Sequence, residues 1–140
     1  MYEYRVKEVA KVVDGDTVDL VLDLGFKLYK KERCRVAGID TPESRTRDLK
    51  EKKYGLEAKA FLQDVLQNAE NLSVRTEKDG KYGRMLGWLF ADNIDGSINQ
   101  LMIEAGMAWS YGGGTKDSSV DRFDQLDENR ESYRLQLLES

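Results

Sequence analysis

The sequence predicts an α+β domain, mainly a β barrel, in which five strands close in the manner of an OB-fold and three α-helices pack around them. Three observations carry this. Apolar residues in the first third recur at strand spacing, an amphipathic helix follows the third strand, and two more strand-like runs precede two further helices. The order three strands, helix, two strands, helix, helix suits a small closed barrel. A length of 140 residues is enough to bury one core. The whole of 1–140 is therefore expected to be a single domain, with the barrel and first two helices in about 1–111 and a C-terminal helix in about 118–138.

Taken in order, Val6, Val9, Val12 and Val13 lead into the turn Asp14-Gly15-Asp16, and the second half of Thr17 to Leu24 alternates apolar with other residues. Gly25 interrupts, and Phe26 to Ile39 is expected to continue as a third strand with Gly38 near its end. Thr41 to Tyr54 is poor in apolar residues and contains the single proline, Pro42, so a long charged loop is expected there. Long loops in compact domains are commonly functional. Ala58, Phe61, Leu62, Val65, Leu66 and Ala69 then fall on one face of a helix.

Leu72 to Thr76 and Met85 to Ala91 read as strands joined by the polar stretch Lys78 to Arg84. Asp95-Gly96 signals a turn, and Ser97 is placed to cap a helix whose apolar face is Ile98, Leu101, Met102 and Ala105. Gly106 is its expected stop. After the break Gly112-Gly113-Gly114, the segment from about Val120 reads as a polar helix with a sparse stripe of Phe123, Leu126, Tyr133 and Leu137.

Composition excludes several chemistries. There is no histidine, which removes Ser-His-Asp and Cys-His catalysis and every histidine-ligated metal site. The single cysteine, Cys34, can form neither an internal disulfide nor a multi-thiolate site, and its place in an apolar-rich strand predicts a buried side chain. No apolar run approaches the ~20 residues of a membrane span. The N-terminus lacks the basic-then-apolar pattern of a signal peptide, so the expected location is cytoplasmic. The net charge is −4, whereas a nucleic-acid binder should present a basic footprint. The distribution is uneven: Lys27 to Lys59 holds eleven Lys/Arg against six acids, and Asp117 to Ser140 three against seven.

The residues able to do chemistry fall in four groups: Asp14-Gly15-Asp16-Thr17, Arg35, Asp40-Thr41-Pro42-Glu43 and Lys81-Tyr82-Gly83-Arg84. Each alone has an ordinary structural explanation. Asp-Gly-Asp makes a tight turn, Asp-Thr-Pro-Glu starts a loop, and Arg35 can pair with an aspartate. Together they have a second reading. Asp16 follows one strand and Asp40 ends another, so barrel closure can bring two carboxylates together as an oxygen site for a hard cation such as Ca²⁺ or Mg²⁺. So few protein ligands imply a dissociation constant of about 10⁻⁴–10⁻³ M. Arg35 supplies the planar fork suited to phosphate.

Three strings extend this reading. Val13 to Val18 (VDGDTV), Arg35 to Ser44 (RVAGIDTPES) and Asp79 to Arg84 (DGKYGR) closely resemble the staphylococcal nuclease, or thermonuclease, family. Glu51 to Leu62 (EKKYGLEAKAFL) resembles the segment leading that family's first helix. The resemblance covers about Val9 to Tyr111. It implies a five-stranded OB barrel with three helices and a Ca²⁺-dependent nuclease that hydrolyses single-stranded DNA and RNA, with double-stranded DNA a further substrate. Expected products carry 3′-phosphate and 5′-hydroxyl ends.

Position by position, the resemblance makes Asp16 and Asp40 the direct Ca²⁺ ligands and Thr41 the donor of a backbone carbonyl. Glu43 corresponds to the carboxylate that reaches metal or attacking water. Arg35 and Arg84 correspond to the phosphate clamps, Lys81 and Tyr82 to residues near a terminal phosphate, and Tyr111 to a stacking tyrosine. The acidic charge, the glycine break and the acidic tail depart from the family pattern. The absence of a leader suggests a phage- or plasmid-encoded protein, expected to be monomeric. The alternative is a non-catalytic OB-fold module that binds nucleic acid or protein. Against it, all five of Asp16, Arg35, Asp40, Glu43 and Arg84 are present.

Overall fold

The computed structural model describes residues 1–79, 85–111 and 122–139. In chain order the elements are β1 (Tyr2–Asp14), β2 (Thr17–Asp23), β3 (Tyr29–Val36), β4 (Ile39–Asp40), α1 (Leu49–Gln67), β5 (Ser73–Asp79), β6 (Met85–Phe90), α2 (Ile98–Glu104), β7 (Trp109–Ser110) and α3 (Arg122–Glu139). Five strands close into a barrel in the order β1-β2-β3-β6-β5, and β4 pairs with β7 in a separate two-stranded sheet. The β3–β6 pair is parallel and the other barrel pairs are antiparallel. This is the α+β OB-fold architecture expected from the sequence.

Closure follows from the length and irregularity of β1. Its thirteen residues pair with β2 and also with β5, and register shifts occur between Val6 and Glu8, Val9 and Lys11, and Val12 and Asp14. Such bulges bend a strand and increase its twist, which lets one strand edge both sides of a barrel. The inward residues of β2 and β3, namely Val18, Leu20, Leu22, Cys34 and Val36, meet Val74 and Leu89 in the core. Ala58, Leu62 and Leu66 of α1 and Ile98 and Met102 of α2 join the same core.

Two expected boundaries change. The run Phe26 to Ile39 is not one strand. Gly25, Phe26 and Lys27 all have positive φ (85°, 54° and 62°) and form the β2–β3 turn, and Ala37-Gly38 turns the chain again before β4. The expected loop Thr41 to Tyr54 is helical from Leu49. Asp48 caps α1, its carboxylate accepting from the backbone N–H of Lys50 and Glu51. Its first turn faces solvent, so it carries no apolar periodicity. Ser97 caps α2 as expected, accepting from the N–H of Gln100, and Gly106 follows at φ 75°.

Buried Asn99 fixes the corner after β3. Its amide donates to the carbonyls of Ala37 (2.8 Å) and Gly87 (3.1 Å), and its oxygen accepts from the N–H of Leu89 (2.9 Å). The Ala37 carbonyl and the Leu89 N–H thereby gain a buried side-chain partner, and the Gly87 carbonyl, which also accepts from the Ala37 N–H (2.9 Å), gains a second donor. On α3, Leu126 is fully buried, whereas Leu137, expected on the same stripe, is exposed. Other docking contacts of α3 include aromatic, ionic and hydrogen-bonded ones, among them Arg130 Nε–H donating to the Gly106 carbonyl (2.9 Å). Tyr54 of α1 donates to Asp127 (2.7 Å), Arg130 pairs with Glu57 (3.3 Å), and Phe61 meets Tyr133 edge-on. Among the described residues no helix is long and apolar enough to cross a membrane.

Candidate active site

The β1–β2 hairpin ends in the two-residue turn Gly15-Asp16, with Asp14 paired in register with Thr17. The Thr17 hydroxyl donates to Asp16 Oδ1 (3.1 Å), which orients the carboxylate. A side chain at Gly15 would lie 2.9 Å from Ala58 Cβ and 3.1 Å from Thr41 Cγ2. The turn therefore sits directly on α1 and on the segment after β4, and that approach is possible because residue 15 has no Cβ.

The Asp40 segment is anchored from both sides. Thr41, Pro42 and Ser44 are buried while Glu43 between them is exposed. The Ser44 hydroxyl donates to Asp14 Oδ1, which ties the segment to the β1–β2 turn. The N–H of Glu43 donates to Glu51 Oε1 on α1 (3.4 Å). At Gly55, α1 presses so closely that an added Cβ would lie 2.5 Å from the carbonyl carbon and oxygen of Glu43 and 2.7 Å from the N of Ser44. The Glu43 carboxylate is thus held outward by a rigid backbone.

Arg35 joins the two halves. It faces away from the core, opposite the inward Cys34 and Val36. Nη1 donates to the carbonyl of Val36 (2.8 Å) and lies 3.4 Å from that of Asp16, and Nη2 donates to the carbonyl of Ile39 (2.7 Å). Nη2 is also 3.5 Å from Asp16 Oδ2. One guanidinium therefore touches Asp16 and the residue immediately before Asp40. The ion pair with an aspartate, one of the two readings of Arg35, is present, and the pairing pre-orients the fork.

Asp40 has a partner that sequence reasoning missed. Nη2 of Arg122, at the start of α3, lies 3.1 Å from Asp40 Oδ2. The Arg122 guanidinium is 3.7 Å above the centre of the Trp109 ring, and Trp109 Nε1–H donates to the Arg122 carbonyl (2.7 Å). Nothing local announces this contact, since the partners are 82 residues apart in sequence. The Ser44–Asp14 pairing and the role of Asn99 are likewise invisible in the sequence, for the same reason.

Of the other expected residues, Tyr111 is 40% exposed beside β7, its N–H donating to the Gly38 carbonyl (2.8 Å). Lys81, Tyr82 and Arg84 lie outside the described residues, as does Gly112 to Gly114. Cys34 is fully buried and its thiol is pushed up to about 12 by desolvation, which makes it a packing residue.

The donor chemistry fits a hard cation. Asp16 and Asp40 offer carboxylates with 16% side-chain exposure each, and Thr41, next in the chain after Asp40, adds a backbone carbonyl to the donor types. All of these are oxygen donors, and neither nitrogen nor sulfur is present to favour a softer metal. Among the described residues no set of three or more acidic or thiol side chains converges. A cation here would thus rest on two carboxylates and complete its shell from backbone and water.

Fold and site together define a class: an OB barrel with a cluster of carboxylates and guanidinium groups where the β1–β2 turn meets the β3–β4 corner. Comparison with known proteins narrows it. A family profile described as "Staphylococcal nuclease homologue" matches residues 33–137, and the chain belongs to that family. It is 33% identical over 111 residues to a micrococcal nuclease of Shigella flexneri, covering 74% of this chain and 57% of that protein. It is 35% identical over 104 residues to an uncharacterized endonuclease of Escherichia coli O157:H7, with 74% and 59% covered. Protein ParB of Escherichia coli is 31% identical over 112 residues, with 74% and 56% covered. The chain spans somewhat more than half the length of these curated relatives.

Proposed function

We propose that this chain is a Ca²⁺-dependent phosphodiesterase that hydrolyses DNA and RNA with little sequence specificity, leaving 3′-phosphate and 5′-hydroxyl ends. One observation carries the reading. Arg35 contacts the Asp16 carboxylate and the backbone immediately before Asp40, so one guanidinium links the β1–β2 turn to the segment that carries Asp40. The sequence relationship to nucleases supports the same reaction class.

Asp16, Asp40 and the Thr41 carbonyl would hold the cation, which when bound supplies positive charge against the phosphoryl oxygens. Arg35 and Arg84 clamp the scissile phosphate. Arg35 does so from a position fixed in advance by three carbonyls, which spares reorganisation during the reaction. Glu43, exposed on an anchored backbone, accepts a proton from water, a contribution typically of about 10²–10⁴-fold. The water oxygen bonds to phosphorus, the bond from phosphorus to the 5′ oxygen breaks, and that oxygen leaves as a hydroxyl after taking a proton from solvent, while Glu43 returns its own proton to solvent. Lys81 and Tyr82 contact a terminal phosphate. Tyr111 stacks on a base or sugar, which adds affinity without sequence preference.

The test is incubation with labelled single-stranded DNA and Ca²⁺, with and without a chelator. Cleavage that the chelator abolishes is expected. No Ca²⁺-dependent product at micromolar enzyme would refute the proposal, and retained binding in that case would favour the binding-module reading.

A further inference from the structure

We infer that Arg122 is a positioning residue of the candidate cation site: it holds the Asp40 carboxylate until a cation binds, and Trp109 registers the exchange. The inference rests on the proposed reading that Asp40 is a cation ligand. Asp40, Trp109 and Arg122 come from β4, β7 and α3 and contact one another. Asp40 and Trp109 are paired in register across the two-stranded sheet. The Trp109 indole donates to the Arg122 carbonyl, and the Arg122 guanidinium lies on the same indole while reaching Asp40 Oδ2.

Every part of this set has a physical consequence. The indole N–H and ring face fix the guanidinium beside one carboxylate oxygen, with 28% of the arginine side chain exposed. A cation arriving at Asp40 competes with a positive group already in hydrogen-bond contact, so the pair weakens cation binding. Asp16 has Arg35 as a charge partner at 3.5 Å, so each carboxylate faces a cationic group before metal arrives. Since Arg122 opens α3, cation occupancy is coupled to how that helix is seated. An ion pair that merely docks α3 would lower stability on removal but would leave cation affinity unchanged.

The chain has two tryptophans, Trp88 and Trp109, so a Trp88→Phe background isolates Trp109 emission. Ca²⁺ titration of this protein is expected to change Trp109 emission with a midpoint in the range of about 10⁻⁴–10⁻³ M. The change is expected to be lost in Asp40→Asn. Calorimetric titration of Arg122→Gln is expected to show Ca²⁺ binding about tenfold tighter, with the Trp109 response gone. Arg122→Lys, which keeps the charge, is expected to stay within about threefold of the parent.

Equal or weaker Ca²⁺ affinity in folded Arg122→Gln, with binding still dependent on Asp40, would overturn this inference and leave the proposed site standing. If Arg122→Gln does not fold, the parent decides: Ca²⁺ binding by calorimetry without any Trp109 response overturns it. No Ca²⁺ binding by the parent up to about 10 mM would overturn both this inference and the reading on which it rests.

Discussion

Replacing Gly55 by alanine tests whether the Glu43 carboxylate depends on the close approach of α1. The added Cβ would lie 2.5 Å from the Glu43 carbonyl, whereas ordinary contacts lie at 3.4–4 Å. The difference, 3.4 − 2.5, requires a backbone displacement of roughly 0.9 Å. The obstruction is main chain and cannot rotate away. Overpacking costs about 1–3 kcal/mol, and the gain in helix propensity from glycine to alanine returns about 1 kcal/mol. The net loss of stability is therefore about 0–2 kcal/mol, so the protein stays folded. A displacement near 1 Å at a reacting group can cost about 10²-fold in rate. The assay is the initial rate of single-stranded DNA cleavage at saturating Ca²⁺, alongside thermal denaturation. Lys52→Ala, at an exposed position of the same helix, should change neither. Full activity with an unchanged Tm in Gly55→Ala would refute the reasoning.

Arg35→Ala should lose at least about 10²-fold in activity and also about 1.5–3 kcal/mol of stability, because its guanidinium satisfies backbone carbonyls. Arg35→Lys should not restore activity, and a Lys variant at parent rates would refute the bidentate role. Leu126→Ala should cost about 2–5 kcal/mol in urea denaturation, and a loss under about 1 kcal/mol would mean that α3 is not docked as described. Asp19 is held below its ordinary value of 3.8, first by the hydrogen bond from Arg33. A depressed folded value makes the contribution of the pair present above the unfolded value and lost as pH falls through the folded one. Asp19→Asn should therefore melt lower than the parent at pH 7 and converge with it in acid. A difference that is constant down to pH 2.5 would contradict this.

What was legible in the sequence was local. The Asp14-Gly15-Asp16 turn, the alternation of β2 and the stripe of α1 each declare themselves within a few residues, and they placed Asp16 and Asp40 at strand ends correctly. The first turn of α1 has the sequence of a loop because Lys50 to Lys53 face water and leave no apolar period. Phe26 and Lys27 have the sequence of a strand because nothing in their side chains forecasts positive φ. Ser44 with Asp14, Asn99 with Ala37, and Arg122 with Asp40 are pairings across 30, 62 and 82 residues. Each is created by tertiary packing and has no sequence period to reveal it. The positions of the candidate acids at strand ends and an Arg35–aspartate pair were therefore readable, while Arg122, Ser44 and Asn99 as partners were not.

The central claim is that the Asp16, Arg35, Asp40 and Glu43 constellation hydrolyses phosphodiesters with a bound cation. The most direct measurement compares the parent and Glu43→Gln on single-stranded DNA with Ca²⁺, reading both the rate and the chemistry of the new ends. The account predicts chelator-sensitive cleavage leaving 3′-phosphate ends, reduced about 10²–10⁴-fold in a folded Glu43→Gln. Cleavage that survives the chelator, or a Glu43→Gln protein as fast as the parent, would contradict it.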